Sequence, residues 1–212
     1  MTVDGFALFD TVLGRCGIAW GPRGIISVQL PEASACATRA RVLQQCPDAD
    51  EISPPPTVQQ AIDGIVAFLH GEVGDFSKVG DLRAIELDMD RVPPFHRRVY
   101  QIARTIAPGE TMTYGEIAVQ LGSHRSARAV GQALARNPFA IIVPCHRVLA
   151  AGDQLGGFSA NGGATTKLRL LSIERAHAGD APTLFDTDGI FGSAARIAVE
   201  HAEHGGCVSP RG

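Results

Sequence analysis

The sequence predicts a mixed α/β fold of the α+β type, in which a half with strands and helices precedes a half that is mostly helical. Short apolar runs over residues 6–14, 17–22 and 24–31 each end in Gly or Pro, which is typical of strands joined by turns. Beyond residue 93 the apolar residues recur at helical spacing instead. With 212 residues, 45% of them hydrophobic, the chain is long enough to bury a core.

The first half is expected to contain a meander of strands, two helices and a closing strand. The helices are predicted near residues 34–46 and over residues 57–72. The apolar residues that share one face of the second helix are Val58, Ile62, Ile65 and Leu69. "RAIELDMD" at 83–90 has the composition of the closing strand. The paired prolines of "RVPP" at 91–94 predict a linker, because they continue neither a helix nor a sheet.

The second half opens with two predicted helices. The first covers residues 94–110 and is closed by Pro108-Gly109. The second lies in "TMTYGEIAVQLG", where Thr113 and Glu116 have the spacing of a capping box and Gly122 marks the end. Tyr114 falls on the apolar face of this helix, so the spacing alone predicts a core aromatic.

A third helix is expected over residues 124–137, with Ser123 as its cap and Asn137-Pro138 as its end, and the two helices form a helix-turn-helix pattern. Its apolar face contains Ala127, Val130 and Leu134. Its polar face contains Arg125, Arg128, Gln132 and Arg136. Between the polar residues stand Ala129, Gly131 and Ala133. Such small residues permit close approach to a nucleic-acid groove, although an ordinary surface helix divides in the same way.

Charge is distributed unevenly along the chain. The segments 1–90, 91–175 and 176–212 carry net charges of −7, +7 and −3, which together give the −3 of the whole protein. A basic segment between acidic neighbours is typical of a module that binds a polyanion, and nucleic acid is the commonest one. The alternative is a solvated basic surface with no partner.

Cys145 has two interpretations. "FAIIV" at 139–143 predicts a buried strand that ends at Pro144, so Cys145 begins a turn. A free cysteine is commonly a buried, inert side chain, whereas a nucleophile needs thiolate character that an unperturbed pKa of about 8.5 supplies only weakly at neutral pH. His146 and Arg147 offer a base and a cation. Because neighbouring side chains of an extended chain point apart, the turn must bring the His146 imidazole close to the Cys145 thiol.

A wider pattern surrounds that cysteine. "PCHRV" at 144–148, preceded by "RNPFAIIV" and followed by "GGFS" at 156–159 and "TKLRLLSIE" at 166–174, resembles the active-site region of the O6-alkylguanine-DNA alkyltransferases, also called methylated-DNA–protein-cysteine methyltransferases. The resemblance covers about residues 92–175. It implies a ribonuclease-H-like scaffold domain over 1–90 and a helical, winged helix-turn-helix-like domain over 91–176 that binds DNA and accepts the alkyl group.

The resemblance also implies roles for single residues. Cys145 would accept the alkyl group, His146 would take the thiol proton through a water, Glu174 would orient the imidazole, and Tyr114 would donate to the departing purine. Arg128 would enter the duplex in place of the flipped base. The other residues of the DNA-binding helix would be Arg125, Ala127, Gly131, Gln132 and Arg136. The substrate pocket and its support would be formed by Asn137, Arg147, Val148, Gly157, Phe158 and Ser159. Phe158 replaces a tyrosine that is frequent in the family.

The expected activity is repair of O6-alkylguanine in double-stranded DNA, with O4 of thymine left open, by a monomer that needs no cofactor and no metal. The five scattered cysteines and the absence of a signal peptide predict a reducing, cytoplasmic location without membrane association. Residues 177–212 lie outside the resemblance and are expected to be a mobile tail of unknown role. A short helix near 192–203 is expected there, and the alternative for His201, His204 and Cys207 is a metal site.

Two further functions remain open. A basic helix-turn-helix alone is compatible with a DNA-binding regulator that performs no chemistry. Cys145 beside His146 is compatible with a thiol hydrolase, although the sequence offers no evident oxyanion site.

Overall fold

The computed structural model describes residues 3–70, 82–123 and 125–177. The helix predicted near 192–203 and the side chains of His201, His204 and Cys207 lie outside the described residues. Within the described ranges, no helix combines the length and the apolar composition needed to cross a membrane. The location in the cell and the domain boundaries at 90 and 176 stay predictions.

The first half forms the predicted meander of three antiparallel strands with two helices. The elements are β1 Gly5–Thr11, β2 Gly14–Gly21, β3 Gly24–Gln29, α1 Ala35–Gln45 and α2 Pro56–His70. Gly14 and Gly24 end the hairpin turns with φ of 119° and 121°, a conformation that L side chains rarely adopt. At Gly24 the space is also closed, because a Cβ atom would lie 2.5 Å from the Glu86 carbonyl oxygen. The mixed α/β class is therefore confirmed.

The prediction of a closing strand over 83–90 is wrong. Residues Leu82–Ala84 form a 3₁₀ turn, and only a single parallel bridge joins Leu87 to Ile25 of β3. The Arg104 side chain binds the carbonyl oxygens of this turn, so these groups are not available for pairing in a sheet. The side chain of Asp88 accepts from the backbone NH of Asp90 and bends the chain away after the bridge.

The segment 91–94, predicted to be the linker, packs in part against the rest of the described structure, and the domain boundary placed there stays a prediction. Val92 is buried, and its carbonyl oxygen accepts a hydrogen bond of 2.7 Å from Nε of Arg97. Pro94 opens α3 Pro94–Ala103, because proline is well suited to the first turn of a helix. The helix ends seven residues before the predicted boundary at 110. One core cluster contains side chains from both halves of the chain.

The helix-turn-helix is present. β4 Met112–Thr113 leads into α4 Tyr114–Gln120, which has the predicted capping box between Thr113 and Glu116. Gly122, predicted to stop this helix, follows its C-cap residue and has a φ of 79°. The second helix is α5 Ala127–Ala135, so the prediction that Ser123 is its N-cap is wrong. Ser123 instead accepts a hydrogen bond of 2.7 Å from the Ser126 hydroxyl within the turn. The remaining elements are β5 Val148–Leu149, parallel to β4, and α6 Ala164–His177.

Candidate active site

The segment that carries Cys145 is buried, as predicted, but it is a compact turn and not a strand. Ile141 has a positive φ of 72°, and the NH of Ile142 bonds to the Ala140 carbonyl oxygen at 2.9 Å. Among the described residues, the only ladder contact of this segment is a bridge between Phe139 and Val28, and the NH of Val28 donates to the Pro138 carbonyl oxygen at 2.8 Å. The backbone groups are therefore satisfied locally, because no neighbouring strand runs alongside these residues in the described structure.

The turn presents the cysteine at the start of a 3₁₀ helix, Cys145–Arg147. The backbone NH of Cys145 donates to the Val143 carbonyl oxygen at 2.8 Å. Asn137, just after α5, holds this turn from both ends, since its Nδ2 donates to the Val143 carbonyl oxygen at 2.9 Å and its Oδ1 accepts from the NH of Phe139 at 2.9 Å. The end of the helix-turn-helix and the cysteine are thus joined by one amide side chain.

Burial determines the protonation of the Cys145 thiol. The side chain is half-buried, and desolvation raises its pKa above the ordinary value of a cysteine. A hydrogen bond from Asn137, the positive charge of Lys167 and the backbone NH groups of Cys145 and His146 act in the opposite direction. The thiol is therefore protonated at rest. The surrounding groups stabilise the thiolate once a base accepts the proton.

His146 and Glu174 form a buried pair next to the cysteine. Nε2 of His146 lies 2.6 Å from Oε1 of Glu174, and both side chains are essentially inaccessible to solvent. Burial raises the pKa of Glu174, but His146 and Arg147 lower it to about 2, so this carboxylate is ionised. Nδ1 of His146 has no hydrogen-bond partner among the described residues. The second ring nitrogen is therefore available to a proton donor.

Arg147 contacts the buried pair, and its assignment to the substrate pocket and its support stays a prediction. Its Nε bonds to Oε1 and Oε2 of Glu174 at 2.9 and 3.0 Å, and its Nη1 donates to the Ile106 carbonyl oxygen at 2.5 Å. The guanidinium also lies over the ring of Phe68, 5.8 Å from its centroid. The buried arginine thus holds Glu174 ionised beneath His146.

Tyr114 lies between the apolar interior and the site. Its ring is half-buried, with Oη 3.5 Å from the carbonyl oxygen of Gly157. Burial raises its pKa, and a negative charge on Cys145, once the thiolate forms, raises it further, so the phenol keeps its proton. Gly156 has a φ of 66°, and a Cβ atom there would lie 3.1 Å from the Tyr114 ring. The loop therefore approaches the phenol closely at a position that suits glycine.

Lys167 is a residue of this site that the sequence analysis missed. Its Nζ donates to the carbonyl oxygens of Val148 and Leu155 at 2.6 and 2.5 Å, and it lies 6.0 Å from the centroid of the Tyr114 ring. Burial lowers its pKa to about 8, and a negative charge on the Cys145 thiolate acts in the opposite direction. A signal was present, because Lys167 is at helical spacing from the buried residues Leu170, Leu171 and Glu174.

The predicted pocket residues divide into two groups. Asn137, Phe158 and Ser159 line a cavity of about 510 Å³ that also reaches Cys145. Val148 is buried beneath the site, where its carbonyl oxygen accepts from Lys167, and Gly157 is exposed beside Tyr114. The cavity is bounded on its other side by β3 and by residues of α1.

The predicted polar face of α5 is exposed. The residues on it are Arg125, Arg128, Gln132 and Arg136. Ala127 and Gly131 are half-buried at its edges, whereas Ala133 is buried and its carbonyl oxygen accepts from the Tyr100 hydroxyl at 2.9 Å. The expectation that Ala133 stands among the polar residues is therefore wrong. Arg136 also differs from the other three, since it lines the cavity.

Comparisons with known proteins agree with this arrangement. Residues 94–176 match the model of the 6-O-methylguanine DNA methyltransferase, DNA binding domain. A methylated-DNA–protein-cysteine methyltransferase of Mycolicibacterium paratuberculosis is 45% identical over 126 residues, which are 59% of this chain and 70% of the relative. The corresponding protein of Mycobacterium bovis is 41% identical over 152 residues, which are 70% and 86% of the two chains.

A solved structure has the same fold. The crystal structure of Mycobacterium tuberculosis OGT in complex with DNA superposes with a TM-score of 0.63 at 33% identity, and the match covers 82% of this chain and 94% of that one. The similarity thus extends through both halves of the described structure and is not limited to the motif around Cys145. The chain belongs to the methylated-DNA–protein-cysteine methyltransferase family.

Proposed function

We propose that the protein repairs alkylated DNA by a single, irreversible transfer of a methyl or small alkyl group from O6 of guanine to Sγ of Cys145. The observation that carries this proposal is the contact between His146 and the ionised Glu174, 2.6 Å apart, immediately beside a half-buried cysteine that lines a cavity. We extend the proposal to O4 of thymine as a second substrate and to a monomer as the active form.

Access to the lesion requires DNA binding and base flipping. O6 lies on the edge of a stacked base, so a half-buried thiol reaches it only when the nucleotide leaves the stack, which costs a few kcal/mol. The exposed arginines of α5 provide a cationic surface for the phosphates. Arg128, at the second residue of α5, would occupy the space of the flipped base and offset part of that cost. By family resemblance, the helix would enter the minor groove.

The thiol is activated by the buried pair. His146 would receive the Cys145 proton at Nδ1, directly or through a water, and Glu174 would stabilise the resulting imidazolium through Nε2. The thiolate then attacks the alkyl carbon, an S–C bond forms, and the C–O6 bond breaks with its electron pair passing to the purine. Tyr114 would donate a proton or hydrogen bond to the departing purine, so that it does not leave as a bare anion.

The product limits the protein to one reaction. A thioether on Cys145 has no good leaving group, and none of the residues described around the site has a means of cleaving it. The protein would therefore act as a stoichiometric acceptor, with Asn137, Val148, Gly157, Phe158 and Ser159 surrounding the guanine or supporting the turn.

The direct test uses a duplex with one O6-methylguanine that carries an isotopic label in the methyl group. We expect one label per protein, located on Cys145 by peptide mass spectrometry, and no further transfer when substrate is in excess. Cys145→Ser should bind the duplex and take up no label. A wild-type protein that takes up no label contradicts the proposal, and full biological activity of Cys145→Ser would favour a regulator without chemistry. Repeated turnover of an ester would favour a thiol hydrolase.

A further inference from the structure

The last turn of α5 is where the helix with the exposed arginines changes into the turn that carries Cys145. The NH of Arg136 donates to the Ala133 carbonyl oxygen, and the NH of Asn137 donates to the Leu134 carbonyl oxygen, both at 3.1 Å. Each bond spans three residues instead of the four of an α-helix, so the helix tightens and ends here. The position of this end determines where the turn begins.

Tyr100 of α3 supplies a further hydrogen bond at this point. Its hydroxyl donates to the Ala133 carbonyl oxygen at 2.9 Å, and its side chain is buried. Burial raises the pKa of this phenol, a negative charge on Cys145 raises it further and the charge of Arg136 opposes both, so the hydroxyl keeps the proton that it donates. The contact joins residues 33 positions apart and ties the end of α5 to α3.

The ring of Tyr100 also packs against the turn. It meets the ring of Phe139 edge-on, with the centroids 6.3 Å apart and an angle of 86° between the planes. Phe139 is bonded within the turn, since its NH donates to Oδ1 of Asn137 and its carbonyl oxygen accepts from the NH of Val143, each at 2.9 Å. The Val143 carbonyl oxygen accepts from the NH of Cys145 at 2.8 Å. One side chain therefore contacts both the end of α5 and the turn that positions the thiol.

The relative position of α5 and Cys145 matters for a base in DNA more than for a free base. A flipped nucleotide remains attached to the duplex, and in the proposed function the arginines of α5 bind that duplex. The position of the alkyl carbon relative to Sγ of Cys145 then depends on how α5 is joined to the turn. A free base has no such attachment and settles against the turn itself. A misplacement of about 1 Å costs about a hundredfold in the rate of a reaction that depends on alignment.

We propose that Tyr100 is a positioning residue that keeps α5, and with it the bound DNA, aligned with the thiol of Cys145. The inference rests on the alkyl transfer proposed above and adds to it a residue that belongs neither to the buried pair nor to the DNA-binding helix. Tyr100 takes no part in the bond changes, because its hydroxyl is bound to the Ala133 carbonyl oxygen. Asn137 holds the turn from within, so Tyr100 is a second connection between helix and turn.

The experiment compares Tyr100→Phe with the wild type on a duplex with one O6-methylguanine and on the free base O6-methylguanine. The variant should fold, because the Ala133 carbonyl oxygen keeps the NH of Arg136 as a partner. We expect the single-turnover rate at saturating duplex to fall about tenfold more than the rate with the free base, the factor for one hydrogen bond. The affinity for an unmodified duplex should stay unchanged, because the arginines of α5 are intact.

Thr38→Val is the matched control. It also removes a buried hydroxyl that donates to a carbonyl oxygen at the end of a helix, since Oγ1 of Thr38 bonds to the Ser34 carbonyl oxygen at 3.2 Å at the start of α1. Thr38 does not line the cavity that reaches Cys145. The control should lower the free energy of unfolding by a similar amount and leave both transfer rates unchanged.

The outcomes separate this inference from the proposed function. Equal losses of rate with the two substrates, or no loss with either, would mean that Tyr100 only stabilises the fold, and they would overturn the inference. A weaker affinity for the duplex with an unchanged saturated rate would overturn it as well. Both results leave the proposed function intact, whereas no methyl transfer by the wild type would overturn both. Because the two rates are measured on one preparation, a partial loss of folded protein cancels in their ratio.

Discussion

Replacing Glu174 by Gln tests the central part of the proposed mechanism. The substitution keeps the volume and one acceptor oxygen beneath His146, but it removes the negative charge that Arg147 and His146 share. The pKa of this carboxyl lies at about 2 instead of 4.5, and that difference corresponds to about 3 kcal/mol of preference for the ionised form. Leaving the Arg147 cation without its partner should destabilise the protein by a similar amount.

Two effects are therefore expected. The melting temperature should fall by about 6 to 12 °C, which is the shift that about 3 kcal/mol produces in a protein of this size. The rate of methyl transfer should fall by about a hundredfold, at the lower end of what a positioned base contributes, because the imidazolium loses its counter-ion. The assay is single-turnover transfer from a labelled duplex, at a temperature where the variant is fully folded, together with chemical denaturation.

A matched control separates the two effects. Glu51→Gln removes a carboxylate that pairs with Arg39 away from the site. It should therefore change neither the rate of methyl transfer nor the proton transfer from Cys145 to His146. A Glu174→Gln protein that is less stable but transfers methyl within about threefold of the wild-type rate would refute the catalytic reasoning and leave Glu174 with a structural role only. A shift in the pH dependence of the methyl-transfer rate that occurs in Glu174→Gln and is absent in Glu51→Gln would support the catalytic reasoning.

Three further predictions address the other groups. Arg128→Ala should slow repair in duplex DNA far more than reaction with the free modified base, since only the duplex requires flipping; equal losses in the two rate assays would refute the finger role. Tyr114→Phe should slow methyl transfer by about a hundredfold with little change in duplex affinity, because the donor to the departing purine is lost; an unchanged single-turnover rate would exclude that role. Between about pH 4.5 and pH 2 the protein should lose up to about 3 kcal/mol of unfolding free energy through Glu174, whose contribution is present above the unfolded pKa and disappears as the pH falls through the folded one. Denaturant unfolding at several pH values should show that the unfolding free energy of Glu174→Gln depends less on pH than that of the wild type. Parallel curves for the two proteins would contradict the assignment of this pH dependence to Glu174.

Much of the fold was predictable because its causes are local. The capping box of Thr113 and Glu116, the end of α4 just before Gly122 and the faces of α5 depend on residues within a few positions of one another. The three strands of the meander are also adjacent in sequence and are joined by turns at glycines. For such elements, composition and periodicity contain nearly all of the required information.

The errors occur where distant parts of the chain decide the conformation. Residues 139–143 have the composition of a strand, but the only backbone partner that the structure describes for them in a ladder is Val28, so they close into a turn held by Asn137. Residues 83–90 likewise meet β3 at one bridge, while the Arg104 side chain donates to the carbonyl oxygens of Arg83 and Ile85. Apolar composition indicates burial, and it does not specify which partner completes the hydrogen bonds.

The candidate site shows the same division. The sequence contains a pattern of residues that indicates alkyl transfer to a cysteine. The pattern consists of Cys145, its neighbours His146 and Arg147, and the distant Tyr114 and Glu174. The sequence by itself thus determined the class of protein, and it predicts Cys145 as the nucleophile. Only the tertiary structure decided that Arg147 binds Glu174, that Lys167 enters the site and that Arg136 lines the cavity. The contacts of Arg147 and Lys167 join residues 12 to 41 positions apart, so they depend on how the helices pack.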